Sequence, residues 1–168
     1  MMEEKGLPKR KTMRAKYYDY SSTGAYFLTI CTKEKKHILS CIVGTGVLDR
    51  PRVELLQCGT VVDKYIRQLN DFYENIMVNE YVIMPNHIHL IISVVRDGPS
   101  GTPVPTVLNS TVSRFVSTLK RFVNKEIGEN IFQRSFYDRI IRSRDEYMEI
   151  CNYVVLNPEN WETDELYN

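Results

Sequence analysis

Two histidines lie two residues apart, at positions 87 and 89, inside the largely apolar run "YVIMPNHIHLII" (residues 81–92). If that run is a β-strand its side chains alternate. His87, His89, Ile91 and Ser93 then share one face, and Ile88, Leu90, Ile92 and Val94 share the other. The second set reads as core. On the first, the imidazoles point the same way with Cα atoms roughly 7 Å apart, close enough for both to reach one metal ion. Two histidine ligands leave positions open for water and a phosphate, which a catalytic metal needs and a structural one does not. The competing account is a pair of polar side chains satisfied by hydrogen bonds beside an apolar run. The spacing alone admits both.

A second candidate lies near the C-terminal end. With Tyr147 at 0° and about 100° per residue, Ile150, Cys151, Val154 and Val155 gather within about 80° of it. Tyr153 falls near 240° and Asn157 near 280°, off that apolar side, so Glu149, Tyr153 and Asn157 form an i, i+4, i+8 line. A phenol one turn before a carboxamide able to join a metal shell is placed for nucleophilic attack on DNA. Equally, one half-exposed helical tyrosine among eleven needs no function. Tyr147 reads as packing, and Tyr137 can face either way.

Charge supplies the third pattern. The formal net charge is +1, yet all 22 lysines and arginines lie within residues 1–144 beside 14 of the 21 acids, so that part carries +8 and the remainder is acidic. Basic residues gather in an N-terminal arm (Lys9, Arg10, Lys11, Arg14 and Lys16, followed by Tyr17, Tyr18 and Tyr20) and again in Arg114, Lys120, Arg121, Lys125, Arg134, Arg139 and Arg142. Cations mixed with aromatics suit a polyanion with exposed bases, since phosphates take the charges and bases stack on rings. A solvated surface has the same composition.

The elements that must position these groups follow from periodicity. Residues 25–32, "AYFLTICT", predict a buried strand. Gly44, Gly46 and Pro51 mark a loop or small hairpin over 41–56. Residues 60–73 repeat apolar positions at three and four, predicting a first amphipathic helix. Strands follow over 76–84 and 87–95 around "MPN", then a Gly/Pro loop over 96–106. A long helix has Leu108, Val112, Phe115, Val116, Leu119, Phe122, Val123 and Ile127 on one face, with Ser113, Arg114, Ser117, Lys120, Arg121 and Asn124 on the other. "FQRSFYDRII" (132–141) predicts a strand, and a last helix opens at the capping box Ser143-x-x-Glu146 and stops before Pro158. The order β, α, β, β, α, β, α predicts an α+β fold, a ferredoxin-like or RRM-like sandwich with a central antiparallel sheet and the histidine motif on a central strand.

Other classes are disfavoured. At 168 residues the chain predicts one domain, residues 1–168, with a basic arm over about 1–20 and an acidic tail over about 159–168. No apolar run approaches the roughly 20 residues of a membrane helix, and the N-terminus lacks a secretory apolar segment. Cys31, Cys41, Cys58 and Cys151 form no C-x-x-C pair, which predicts reduced thiols and a cytoplasmic protein.

"YVIMPNHIHLII" resembles the histidine-hydrophobe-histidine signature of single-tyrosine HUH transposases. "FQRSFYDRIIRSRDEYMEICNYVVLNPENW" resembles the C-terminal motif of the REP-associated tyrosine transposases (RAYTs), a domesticated branch of that group. The likeness runs from "GAYFLTICT" through the Asn-Pro that closes the last helix. It implies a single-strand endonuclease and strand transferase acting on DNA that carries hairpins. His87 and His89 would be metal ligands, Asn157 a third ligand, Mg²⁺ or Mn²⁺ the metal, and Tyr153 the nucleophile that leaves a 5′-phosphotyrosine link and a free 3′-hydroxyl. Lys9, Arg10, Lys11, Arg14, Arg114, Lys120, Arg121 and Arg134 would hold DNA phosphates. The resemblance is compatible with a homodimer or a monomer. Two rival readings remain: a catalytically inactive RRM-like module that binds single-stranded or hairpin nucleic acid, and a metal-dependent hydrolase with water as nucleophile.

Overall fold

The computed structural model describes residues 24–44, 50–94 and 111–167. The strands are β1 (Gly24–Cys31), β2 (Ser40–Val43), β3 (Arg52–Leu55), β4 (Ile76–Ile83), β5 (His87–Val94) and β6 (Tyr137–Ile141). The helices are α1 (Gln57–Phe72), α2 (Thr111–Ile127) and α3 (Arg144–Leu156), the last running into a 3-10 helix over Asn157–Thr163. Four strands form one antiparallel sheet in the order β4-β5-β1-β6, while β2 and β3 pair separately as a hairpin. With α1 between β1 and β4 and α2 between β5 and β6, this is the ferredoxin-like arrangement that the order of elements predicts. The loop expected over 96–106 and the helical position Leu108 fall outside the described residues, as does the basic arm.

The two faces of the sheet have different partners. Leu28 and Ile30 on β1 and Ile88, Leu90 and Ile92 on β5 are fully buried against Val62, Ile66 and Leu69 of α1 and Phe115 and Leu119 of α2. Each such side chain removed from water contributes about 1.5–3 kcal/mol. The opposite face is covered in part by α3, whose Ile150 and Val154 pack on Ile91 and Ile141 beside Phe27, Val82 and Tyr147. Chemistry is therefore confined to the α3 side. The other side is closed by α1 and α2.

Local devices fix α3 above the sheet. Ser143 Oγ accepts a hydrogen bond from the Glu146 N–H at 3.1 Å, capping the helix as its sequence predicts. The Glu146 carboxylate accepts from the Arg142 N–H at 2.8 Å and pairs with the Arg139 guanidinium at 2.7 Å, tying the first turn to the end of β6.

Two elements differ from expectation. The strand predicted over 132–141 is regular only from Tyr137: Phe132 forms an isolated bridge to Thr32, and the Gln133 and Ser135 carbonyls accept from Lys120 Nζ instead of joining a ladder. α1 opens three residues before the predicted start, at Gln57, where the chain passes closely over the β2 edge. Gly59 explains that closeness, because a Cβ there falls well inside contact distance of the Leu39 carbonyl oxygen, itself fixed by accepting from the Leu56 N–H at 2.9 Å. Gly59→Ala is expected to destabilise the protein by about 3 kcal/mol, the upper end of overpacking costs, measured as a lowered urea midpoint at constant m-value. An unchanged midpoint would show that the hairpin yields freely.

Candidate active site

Strand register decides which side chains meet the histidines. His89 lies opposite Thr29 and His87 opposite Cys31 across β1, while Thr29 in turn faces Tyr137 on β6. Neither histidine is exposed: His87 is fully buried and His89 nearly so. Both rings have partners on their Nδ1 side. His87 Nδ1 lies 2.7 Å from Asn86 Oδ1, and the orientation of that amide is set because Asn86 Nδ2 donates to the Leu166 carbonyl at 2.6 Å. An oxygen acceptor there assigns the proton to Nδ1 and leaves the lone pair on Nε2. His89 Nδ1 lies 2.9 Å from Thr29 Oγ1, and its Nε2 lies 3.3 Å from the Tyr153 hydroxyl.

α3 brings its polar line over this pair. The Tyr153 ring is 5.3 Å from the His89 ring and meets Phe27 edge-on at 6.0 Å, while Phe27 stacks on His89 at 5.0 Å. Asn157, fully buried at the end of the helix, lies one turn further on. The structure thus brings His87, His89, Tyr153 and Asn157 to one end of the sheet.

It adds one residue that the sequence did not single out. Asp164, just beyond the 3-10 helix, accepts from Asn157 Nδ2 at 3.1 Å and from the Tyr153 hydroxyl at 3.5 Å, and its other oxygen accepts from the Leu166 N–H at 2.6 Å. One ligand atom from each of His87, His89 and Asp164 falls within 4.8 Å of the others, a grouping able to hold a metal ion. Asp164 was hidden in a run of acids with no periodicity. Thr29 and Asn86 were equally unmarked, since a single strand does not reveal its register.

The electrostatics favour neutral, ligand-competent imidazoles. Burial pushes His87 down to about 4, partly opposed by the Asp164 carboxylate, and Lys35 lowers it further. Burial and then the neighbouring His87 hold His89 well below the usual histidine range. Burial, then Asp164, raises the Tyr153 phenol, so it keeps its proton until a base or cation intervenes. Among the described residues, buried His87 Nε2 and Asn157 Oδ1 have no hydrogen-bond partner. Two orphaned lone pairs beside a third nitrogen and a carboxylate form a donor set that fits a divalent cation.

A consequence for stability follows. His87 refuses a proton that the unfolded chain accepts below about pH 6.5. Its contribution is therefore complete above that pH and is lost progressively as pH falls toward about 4. In metal-free buffer His87→Asn is expected to flatten the fall in melting temperature between pH 7 and pH 5. An unchanged slope would mean that the ring is protonated when folded.

The basic residues are distributed differently. Lys9, Arg10, Lys11 and Arg14 lie outside the described residues. Arg114 and Arg121 are exposed on α2, and so belong to the layer across the sheet from the histidines. Lys120 donates to the Gln133 and Ser135 carbonyls, and Arg134 is exposed on that same connection. Among the described residues, Arg114, Arg121, Lys120 and Arg134 do not line the cleft at the histidine pair. That cleft, of about 860 Å³, is instead lined by Phe27, His89, Tyr137, Arg139, Tyr153 and Asp164, among others.

Comparison with known proteins gives three likenesses. An uncharacterised protein of Haemophilus influenzae is 31% identical over 178 aligned residues, spanning 96% of this chain and 95% of its own length. The solved structure of a REP-associated tyrosine transposase bound to a REP hairpin superposes with a TM-score of 0.60 at 17% identity, covering 89% of this chain and 73% of that one. A proposed transposase from Deinococcus radiodurans gives a TM-score of only 0.41 at 17% identity, covering 87% and 96%, too low to carry an argument. No family model matches the chain. Among the described residues, no helix is long and apolar enough to cross a membrane.

Proposed function

Because this chain belongs to one family with the Haemophilus influenzae protein and has the fold of a REP-associated tyrosine transposase, we propose that it is a metal-dependent, single-strand DNA endonuclease and strand transferase. The observation that carries the reading is the meeting of the Tyr153 hydroxyl with His89 Nε2 at 3.3 Å, beside the orphaned lone pairs of His87 and Asn157. A phenol so placed has a nucleophile's position. A fold used only for binding needs neither it nor the buried pair.

His87 Nε2, His89 Nε2 and Asn157 Oδ1 would hold Mg²⁺ or Mn²⁺. Such an ion, when bound, neutralises charge that develops on the phosphate oxygens. Tyr153 Oη attacks the phosphorus as the bond to O3′ breaks, leaving a 5′-phosphotyrosine, and the departing 3′-oxygen takes a proton from solvent to become a free 3′-hydroxyl. The phenol proton passes to the Asp164 carboxylate, whose Oδ2 lies 3.5 Å away. The 3′-hydroxyl can later attack in the reverse sense, so strand transfer needs no ATP. The Phe27 ring, against both His89 and Tyr153, helps keep the two in place. The DNA partner is single-stranded with a hairpin; the transposase whose fold the chain shares is bound to a REP hairpin. The whole chain acts as one domain, in the cytoplasm, as a monomer or a homodimer. Its basic residues, the N-terminal arm included, hold phosphates away from the reacting one.

The test is covalent capture. The protein is incubated with Mn²⁺ and labelled hairpin oligonucleotides drawn from repeats that flank its own gene, then resolved under denaturing conditions. A band that needs the metal and survives denaturation supports the reading. Tight binding with neither adduct nor cleavage would leave an RRM-like binding module, and cleavage without adduct would make water the nucleophile.

A further inference from the structure

A second cavity, of about 680 Å³, opens on the other side of the 3-10 helix from the Tyr153 cleft, between that helix and the β2–β3 hairpin. Three aromatic rings meet in it. Trp161, only 8% exposed, forms the floor, with His37 at 5.4 Å and Tyr167 at 5.1 Å from it, and those two rings 6.4 Å apart. His37 and Tyr167 are exposed. None of the three has a part in the chemistry above.

The cavity adjoins the site through its floor, since the Trp161 ring lies 5.9 Å from that of His87. Its approach is basic: Lys33, Lys35 and Lys36 lie on the connection leading to His37, and the charge of Lys35 is felt at His87. Within that connection Glu34 and Lys35 both take left-handed backbone angles, φ 57° and 53°. Two consecutive strained non-glycine residues mark a loop held in shape by its surroundings. The wall also holds the carboxylates of Glu159 and Glu162. They repel phosphate but accept from amino groups.

We infer that the pocket formed by His37, Trp161 and Tyr167 takes the unstacked base of the unpaired nucleotide next to the scissile phosphate, and favours a base with an exocyclic amine over thymine. The backbone phosphates run past Lys33 and Lys35 while the base turns into the ring cluster. This rests on the nuclease reading and names a subsite of it.

Trp161 is the only tryptophan in the chain, so its emission reports the pocket directly. Full-length protein in metal-free buffer is titrated with the hairpin oligonucleotides used for covalent capture, each with one unpaired nucleotide made abasic in turn. Binding is followed by anisotropy and occupancy by Trp161 fluorescence. The intact oligonucleotide is expected to quench the emission. One abasic position should remove the quench and weaken binding roughly tenfold, the usual scale of a base stacked on a ring, and thymine there should bind more weakly than adenine or cytosine. His37→Ala and Tyr167→Ala change exposed residues, so the fold has little to lose. Each should weaken binding to the intact strand and leave binding to the abasic strand unchanged.

Adduct formation or tight binding with undisturbed Trp161 emission and full affinity in both variants would overturn the pocket and leave the nuclease standing. Quenching with the abasic signature but no adduct under Mn²⁺ would keep the pocket and remove the nuclease. Absence of any binding would remove both.

Discussion

Tyr153→Phe is expected to abolish the covalent protein–DNA band and to lower cleavage by a factor on the order of 10⁴ or more, the scale seen when a nucleophile is deleted from a constellation that acts as a unit. The substitution keeps the ring against Phe27 and His89 and removes one oxygen. Hairpin binding should therefore stay within about threefold of wild type, too small a change for a lost stacking or phosphate contact. The side chain is 46% exposed and lies beside the buried pair Ile150 and Val154 instead of within it, so the melting temperature should barely move. Cleavage with an adduct persisting in Tyr153→Phe would transfer the role to another tyrosine. Tyr137, exposed on the same face and lining the same cleft, would be the first to examine.

His89→Ala has the second largest expected effect. Its Nε2 lies 3.3 Å from the Tyr153 hydroxyl, and the residue belongs with His87 and Asp164 to the group whose ligand atoms lie within 4.8 Å of one another, so its removal leaves too few donors to hold a divalent ion. Loss of Mn²⁺ binding by calorimetry is expected together with a fall in adduct yield on the order of 10³, the size of one strong electrostatic contribution at a reacting centre. The change also opens a cavity and strips Thr29 Oγ1 of a partner. His89→Gln, which refills the space, is the control for folding. Retention of the Mn²⁺ isotherm and the adduct in both variants would show that the pair is structural and that the ion lies elsewhere.

The fold was readable because its elements carry strong periods. Apolar alternation in β5 and the three-and-four repeats of α1 and α2 identify each segment without reference to any other. Their order then leaves few ways to arrange a sheet. The start of β6 was not readable, because the Gln133 and Ser135 carbonyls are satisfied by a lysine side chain on another element, which no local pattern encodes. For the site the same division holds. Histidines at i and i+2 and a polar line on α3 are local signals, and the structure brings those residues together. Asp164, Thr29 and Asn86 enter through register and through the path of the chain after Pro158, both long-range matters. Charge was the least informative pattern: basic residues close in sequence sort into different layers, and Arg114 and Arg121 on α2 stand across the sheet from the histidines.

The contact between Asn86 Nδ2 and the Leu166 carbonyl joins residues 80 positions apart, and this bears on when the protein becomes competent. Chains emerge from the ribosome amino end first, and segments fold as they become available. β1, β4 and β5 can pair, and α1 and α2 can close the core, while α3 and Asp164 have yet to emerge. A nascent chain at that stage presents its histidines with neither the phenol nor the carboxylate beside them. Assembly of the site thus waits on residues 164–166, and a chain cut before residue 153 would present its histidines without the phenol.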